Sequence, residues 1–327
     1  MTGACFPWGW RWSRRCARET SEPRSGSAGF RGAALSAPLI DRGAARRVYS
    51  RAAATYAGAA VLAREVEVRM LERLQYIKLS PQRILDAGCG VGYGAGRLAE
   101  AYTDAQVLGL DFAYPMLQTA RGRGAWLRRV LARERVVQLC ADLAAVPLPP
   151  ASVDLVWSNL ALHCVGDPAP ALKELHRVLK VGGLLMFSYY GPDTLKELRG
   201  AFALGDSAAH VHSFVDMHDL GDMLSTCGYA DPVMDMELIT LTYADVDALI
   251  ADLRATGQVN VLAARRRGLT GKVVFGGMRA AYANLRDDGR LPASFEIVYG
   301  HAWKPAQRAT RDGRAIVRLE LPRAKRV

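Results

Sequence analysis

The chain has 327 residues, half of them hydrophobic, which leaves room for one to three domains with a sizeable core and excludes global disorder. The net charge of +11 invites a nucleic-acid reading until it is located: residues 1–47 carry +6, residues 308–327 carry +5, and residues 48–307 are neutral. A basic pI confined to the ends argues against nucleic-acid binding by the body.

The six cysteines (Cys5, Cys16, Cys89, Cys140, Cys164, Cys227) show no Cys-x-x-Cys or Cys/His metal spacing. Cys89 and Cys140 fall within or beside predicted strands, where a free thiol behaves as a small apolar residue. That pattern fits a reducing compartment, with a cytoplasmic location and no metal expected. No apolar run reaches the ~18–20 residues of a membrane span.

Residues 1–35 are rich in Arg, Ser, Gly and Trp and lack periodicity. Either they are an organelle transit peptide, or a disordered tail or upstream extension; no secretory apolar region is present. The basic tails are set at 1–43 and 306–327. Between Ala44 and Tyr76, Val48, Ala52, Tyr56, Ala59, Leu62, Val66, Met70 and Leu74 recur at helical spacing, which predicts an N-terminal helical cover over 44–81.

Five predicted strands follow, 83–87, 106–110, 136–140, 153–158 and 183–188, separated by predicted helices at 93–101, 115–121 and 169–179. Such alternation predicts a parallel sheet with helices on both faces, here over a core of 82–241. Beyond it, helices are predicted at 194–203, 215–227, 245–256 and 270–286, and strands at 233–241 and 295–302. Residues 242–305 are read as a helical insertion followed by the last strand.

The first strand runs into glycines at alternate positions: Asp86-Ala-Gly88-Cys-Gly90-Val-Gly92. A strand, a glycine turn and a helix bring backbone close to a bound nucleotide. The dinucleotide fingerprint G-x-G-x-x-G, begun at Gly88, would need glycine at 93, which is Tyr93. Begun at Gly90 it starts after the strand has ended. The spacing Asp-x-Gly-x-Gly-x-Gly instead resembles the first motif of class I S-adenosylmethionine (SAM) methyltransferases, a Rossmann-like α/β fold. The resemblance implies that Asp86, Gly88, Gly90 and Gly92 meet the cofactor, with the carboxylate facing its methionine part.

Asp111 ends the second strand ~20 residues beyond the turn, where a carboxylate accepts from ribose hydroxyls; its plainer reading is a helix cap. Met116 could lie against the adenine. Asp142 could accept from the adenine amino group while the Leu143 backbone pairs with the ring, or Asp142 could be a simple cap. The fourth strand delivers Asn159 and then His163 to the carboxyl edge of the sheet, beside the sulfonium. His163 is either a base or a packing residue. Tyr56 either donates to the acceptor carboxylate or packs the leading helix.

From about Ser50 to Lys304 the chain resembles the malonyl-acyl-carrier-protein O-methyltransferases of biotin synthesis. The matching pieces are Arg51-Ala-Ala-Ala-Thr-Tyr56, Leu85-Asp-Ala-Gly-Cys-Gly90, Trp157-Ser-Asn-Leu-Ala161, Ile239-Thr-Leu241 and Leu291 to Trp303. The resemblance implies SAM as cofactor, a malonyl thioester on acyl carrier protein as partner and substrate, and a final strand inserted antiparallel beside the fifth or sixth. A monomer is expected, with no nucleic-acid or membrane partner. A carboxylate acceptor is ionised at neutral pH, so no catalytic residue is required beyond positioning.

A second family, the arginine hydroxylase that assembles mitochondrial complex I, matches at Gly191-Pro-Asp-Thr-Leu-Lys-Glu-Leu-Arg199, Asp219-Leu-Gly221 and Gly289-Arg-Leu-Pro-Ala293. It implies hydroxylation of a protein arginine, or a SAM-binding assembly factor without catalysis. No Asn/Asp-Pro-Pro-Tyr motif of a nucleic-acid methyltransferase follows the fourth strand.

Overall fold

The computed structural model describes residues 39–122 and 136–306. Residues 1–38 and 307–327 of the two tails, with the transit-peptide reading, Cys5 and Cys16, lie outside the described residues, whereas residues 39–43, assigned to the first tail, are tied to the body and open the first helix.

The leading region is two helices, α1 (Arg42–Ala59) and α2 (Val61–Leu74). Asp41 starts α1, its Oδ1 accepting the Ala44 N–H at 2.9 Å. The core then alternates: β1 (Arg83–Ala87), α3 (Tyr93–Ala101), β2 (Gln106–Asp111), α4 (Tyr114–Gly122), β3 (Val136–Cys140), β4 (Val153–Ser158), a 3-10 turn at Leu162–Val165, α5 (Pro168–Val178) and β5 (Leu179–Tyr190). After β5 come α6 (Lys196–Ala203), α7 (Met217–Thr226), β6 (Ala230–Tyr243), α8 (Val246–Ala255), α9 (Lys272–Ala283) and β7 (Leu291–Trp303).

The seven strands form one sheet in the order β3-β2-β1-β4-β5-β7-β6. The first five pair parallel, and β7 lies antiparallel between β5 and β6. The chain reverses its winding between β1 and β4, and a crevice opens there at the carboxyl ends of the strands.

Successive residues of a strand point to opposite faces, and here both faces are covered. Ile84, Leu155, Trp157, Leu184 and Met186 pack with Val66, Met70 and Leu98 on one side. Leu85, Val156, Leu185 and Phe187 pack with Leu172, Leu175 and Leu224 on the other. That explains the near-continuous apolar runs of the parallel strands. Trp157, with no exposed surface, anchors the first layer. A side chain of that kind contributes about 1.5–3 kcal/mol by burial.

The last three strands are longer than expected. Gly182-Gly183 reads as a stop but lies inside β5, where Gly182 is left-handed (φ +75°) and the β4–β5 register shifts. Of the two cysteines read as small apolar residues in or beside strands, Cys89 is buried but Cys140 is exposed, because β3 has only partly buried and exposed positions.

Candidate functional site

The glycine turn is held by two bonds, from the Gly88 and Cys89 N–H groups to the Leu110 carbonyl at 2.7 and 2.9 Å. All three glycines are left-handed, with φ of +88°, +51° and +77°. Their reasons differ. A Cβ on Gly88 would overlap the Ala161 methyl, and one on Gly92 would come within 2.9 Å of Ala120 Cβ. A Cβ on Gly90 would meet only Tyr56 Cε1, at 3.9 Å. Gly90 therefore fronts open space, the place where a ligand approaches backbone.

That space is a cavity of about 660 Å³ whose lining includes Tyr56, Gly88, Gly90, Asp111, Met116, Asp142, Leu143 and Asn159. A smaller pocket continues from it under α2, sharing Tyr56, Gly88, Gly90 and Asn159 and adding Arg64, Glu67 and Asp86. Asp111, almost fully buried, caps the following turn through the Ala113 N–H (2.7 Å) and holds the Gly90 N–H (3.0 Å). Burial lifts its carboxyl to about 6, against the pull of those two N–H groups. Asp142 also caps a turn, accepting from Ala144 N–H at 2.9 Å, and its other oxygen pairs with Arg42 of α1. Met116 is buried against Ala113 and Val91, in the cluster that Tyr49 and Tyr56 flank.

Asp86 and Asn159 differ from the simplest expectation. Asp86 is buried at the floor, beside Glu67. Asn159 spends its amide on the cover, donating to the Ala63 carbonyl (2.8 Å) and to Glu67 Oε2 (2.6 Å) while accepting from Ser188 Oγ (2.8 Å). Its side chain joins β4 to α2, and its edge lines the cavity.

His163 does not line this cavity. It lies on a second one of about 990 Å³, between the sheet edge, α1, α8 and the loop before α7, with Tyr190, His212, Phe214, Leu253 and Gln258. Tyr49 and Cys164 line both spaces and form the wall between them. The Tyr49 hydroxyl lies 3.3 Å from His163 Nε2 and 3.3 Å from Cys164 Sγ. Burial drives His163 down to about 3 and His212 to about 4, and holds the Tyr49 and Tyr190 hydroxyls protonated. A His held neutral by burial donates or accepts hydrogen bonds but is too weak a base to take a proton near neutral pH.

Tyr49, Glu67, Tyr190, His212 and Gln258 were not singled out from the sequence. Two signals could have found the first pair: Tyr49 lies seven residues before Tyr56 on one helix face, and Glu67 interrupts the buried stripe Leu62, Val66, Met70, Leu74.

The residues fit SAM. A carboxylate sits at the end of β2 with lone pairs to spare for ribose, an apolar slot is formed by Met116 and Leu143, and a glycine fronts open space. Glu67 Oε1 and Asp86 Oδ2, buried without hydrogen-bond partners, suit a positively charged ligand.

This fold and site define a class I SAM-dependent methyltransferase. Residues 85–187 match the family model of a methyltransferase domain. The YcgJ protein of Bacillus subtilis shares the fold, at TM-score 0.52 and 16% identity over 73% of this chain and 98% of its own. More specifically, the chain is 54% identical over 283 residues to a malonyl-[acyl-carrier protein] O-methyltransferase of Gallionella capsiferriformans, covering 86% of this chain and 98% of that one. Proteins of the same name match from Laribacter hongkongensis (53%; 85% and 95% covered) and Legionella pneumophila (40%; 82% and 92%). The chain belongs to the malonyl-[acyl-carrier protein] O-methyltransferase family.

Proposed function

We propose that the protein transfers the SAM methyl to the free carboxyl of a malonyl thioester on acyl carrier protein, masking a charge at an early step of biotin synthesis. The observation that carries this is the wall of Tyr49 and Cys164: one space holds the cofactor constellation, and the space behind the wall has room for an acyl arm. Family membership at 40–54% identity supports methyl transfer over arginine hydroxylation.

SAM supplies an electrophilic methyl on a sulfonium sulfur. The acceptor carboxylate, ionised at neutral pH, needs no base, and the neutral histidines and protonated tyrosines around the second cavity offer hydrogen bonds without competing for a proton. Helix α1 closes over both spaces, so Tyr49 and Tyr56 orient the acceptor and exclude water, which is catalysis by proximity. Tyr56 is the donor to the acceptor carboxylate, and Asp86, Gly88, Gly90, Gly92, Asp111, Met116, Asp142, Leu143 and Asn159 form the cofactor side. The same reading makes the protein a cytoplasmic monomer with acyl carrier protein as its macromolecular partner. It agrees with a neutral chain body and with no described helix being long and apolar enough to cross a membrane.

Mass spectrometry of malonyl-carrier incubated with SAM and the protein tests the reading. The carrier should gain the mass of one CH₂. An unchanged carrier, with SAM binding intact, would refute it.

A further inference from the structure

Two polar side chains of the second cavity have one side already committed to a donor from the protein. Tyr190, the last residue of β5, accepts from the Gln258 amide on its hydroxyl oxygen, so its own proton is directed elsewhere. His212, in the loop before α7, accepts the Val261 N–H on Nε2 at 3.0 Å. A backbone amide can only donate, so Nε2 is the bare nitrogen. Burial pushes the ring down to about 4 and keeps it neutral, which leaves its single N–H on Nδ1. Among the described residues no hydrogen bond takes up the Tyr190 O–H or the His212 Nδ1–H. Both residues line the second cavity and both back onto Phe214, at ring-centroid distances of 5.4 and 6.1 Å.

The pair therefore presents two oriented, uncharged donors to one space. A carbonyl oxygen suits them, with two lone pairs and no proton of its own. A guanidinium, which only donates, would leave both unpaired. The wall decides which carbonyl this is. The acceptor carboxylate belongs on the cofactor side with Tyr56, and in a malonyl thioester the other carbonyl is one methylene away. It falls beyond Tyr49 and Cys164, on the side of Tyr190 and His212.

We propose that Tyr190 O–H and His212 Nδ1–H share the thioester carbonyl oxygen of the acceptor, with Gln258 as the residue that positions the Tyr190 hydroxyl. His163 braces this arrangement: its Nε2 faces the Tyr49 hydroxyl and the Cys164 thiol at 3.3 and 3.4 Å, and its ring lies 4.9 Å from that of Tyr190. Fixing the carbonyl oxygen sets how far the carboxylate extends toward the methyl. The same contact thus measures the acyl chain, since an extra methylene would carry one oxygen or the other off its donors. The inference rests on the methyl-transfer reading and adds to it the residues that recognise the thioester.

The test compares malonyl-carrier with its thioether counterpart, in which CH₂ replaces the thioester carbonyl while the carboxylate and chain length are kept. Both can accept the methyl. The wild-type protein should use the thioether with kcat/KM about tenfold lower or more. Tyr190→Phe deletes one donor and keeps the ring. His212→Gln keeps an oxygen for the Val261 N–H and loses the Nδ1 donor. Each should lower kcat/KM for the thioester about threefold or more, and for the thioether far less, so that the ratio between the two acceptors falls toward one. Gln258→Leu should move the ratio in the same direction. Equal use of the two acceptors by the wild-type protein overturns the proposal without any variant. So do Tyr190 and His212 variants that lower both acceptors alike or leave the ratio unchanged. Methyl transfer to neither acceptor refutes the methyl-transfer reading and this inference with it, whereas transfer to both without discrimination refutes this inference alone.

Discussion

Asp111 Oδ2 accepts the Gly90 N–H at 3.0 Å, tying the end of β2 to the one glycine of the turn that fronts open space. Its other oxygen caps the Ala113 N–H, so two backbone donors depend on one carboxylate. An asparagine has one acceptor oxygen and sets an amino group against the second N–H. Asp111→Asn should therefore lower both the melting temperature and the SAM affinity, the latter by about 1.5–3 kcal/mol. Calorimetry and a thermal melt on one sample read both. Wild-type affinity in a destabilised protein would make Asp111 a cap alone.

The turn glycines should separate in the same pair of measurements. Gly88→Ala adds a methyl where Ala161 already stands, at a left-handed φ, and should cost stability. Gly90→Val meets only Tyr56 in the empty protein but fills the ligand's approach. It should bear the strain of its φ, about 1–2 kcal/mol, and lose SAM binding almost completely. Near-normal binding by Gly90→Val would overturn the assignment of that space to the cofactor.

The Glu67–Asp86 pair should also be visible without ligand. Glu67 is raised in the folded protein to about 7 from its ordinary 4.5, so the folded state favours the protonated form. Its contribution to stability is present below about pH 4.5 and is lost as pH rises toward 7. Glu67→Gln mimics the neutral acid and should melt close to wild type at pH 5 but above it at pH 8. Each kcal/mol corresponds to about 2–4 °C in a chain of this size. A variant that melts below wild type at pH 8 would show that the charge of Glu67 is stabilising.

Much of this architecture is legible in the sequence because its signals are local. The alternation of apolar strands and helices places five parallel strands, and Asp86-x-Gly-x-Gly-x-Gly places the turn. What escapes is non-local or hidden by breakers. Tyr49 and His163 touch across 114 positions, and Glu67 meets Asp86 only once α2 has docked. Pro232 falls at the irregularity of β6 between Ala230 and Val233, and Pro292 lies within the ladder opposite Thr242. Pro232 sits on the edge strand β6, and the carbonyl of Pro292 accepts the Tyr282 hydroxyl at 2.8 Å. The basic run Arg265-Arg266-Arg267 forms ion pairs that only the fold brings together: Arg265 and Arg267 with Asp41, and Arg266 with Asp206.

The two tyrosines of α1 should respond differently to loss of their hydroxyls. Among the described residues Tyr56 has no hydrogen-bond partner for its hydroxyl, whereas Tyr49 is engaged by His163 and Cys164. Tyr56→Phe should leave SAM affinity and melting temperature intact while lowering turnover on malonyl-carrier at least tenfold, about 1.4 kcal/mol of transition-state stabilisation. Tyr49→Phe should lower melting temperature as well, because it strips partners from two buried groups. Unchanged turnover in Tyr56→Phe would return that residue to packing.

The last expectation concerns the second cavity. Ile250 of α8 lines it and is only partly buried, so a larger side chain there has somewhere to go. Ile250 does not line the cofactor cavity, and none of the cofactor contacts argued above runs through α8. Ile250→Trp should therefore fill acceptor space while leaving SAM binding unchanged. If the acyl arm enters here, kcat/KM for malonyl-carrier should fall at least tenfold, with the loss concentrated in KM where the arm still threads past the ring. A thermal melt within a few degrees of wild type separates blocked access from overpacking. Full activity in a folded Ile250→Trp protein would mean that the acyl chain reaches the methyl by another route, and Tyr49 would then be a wall of the cofactor cavity only.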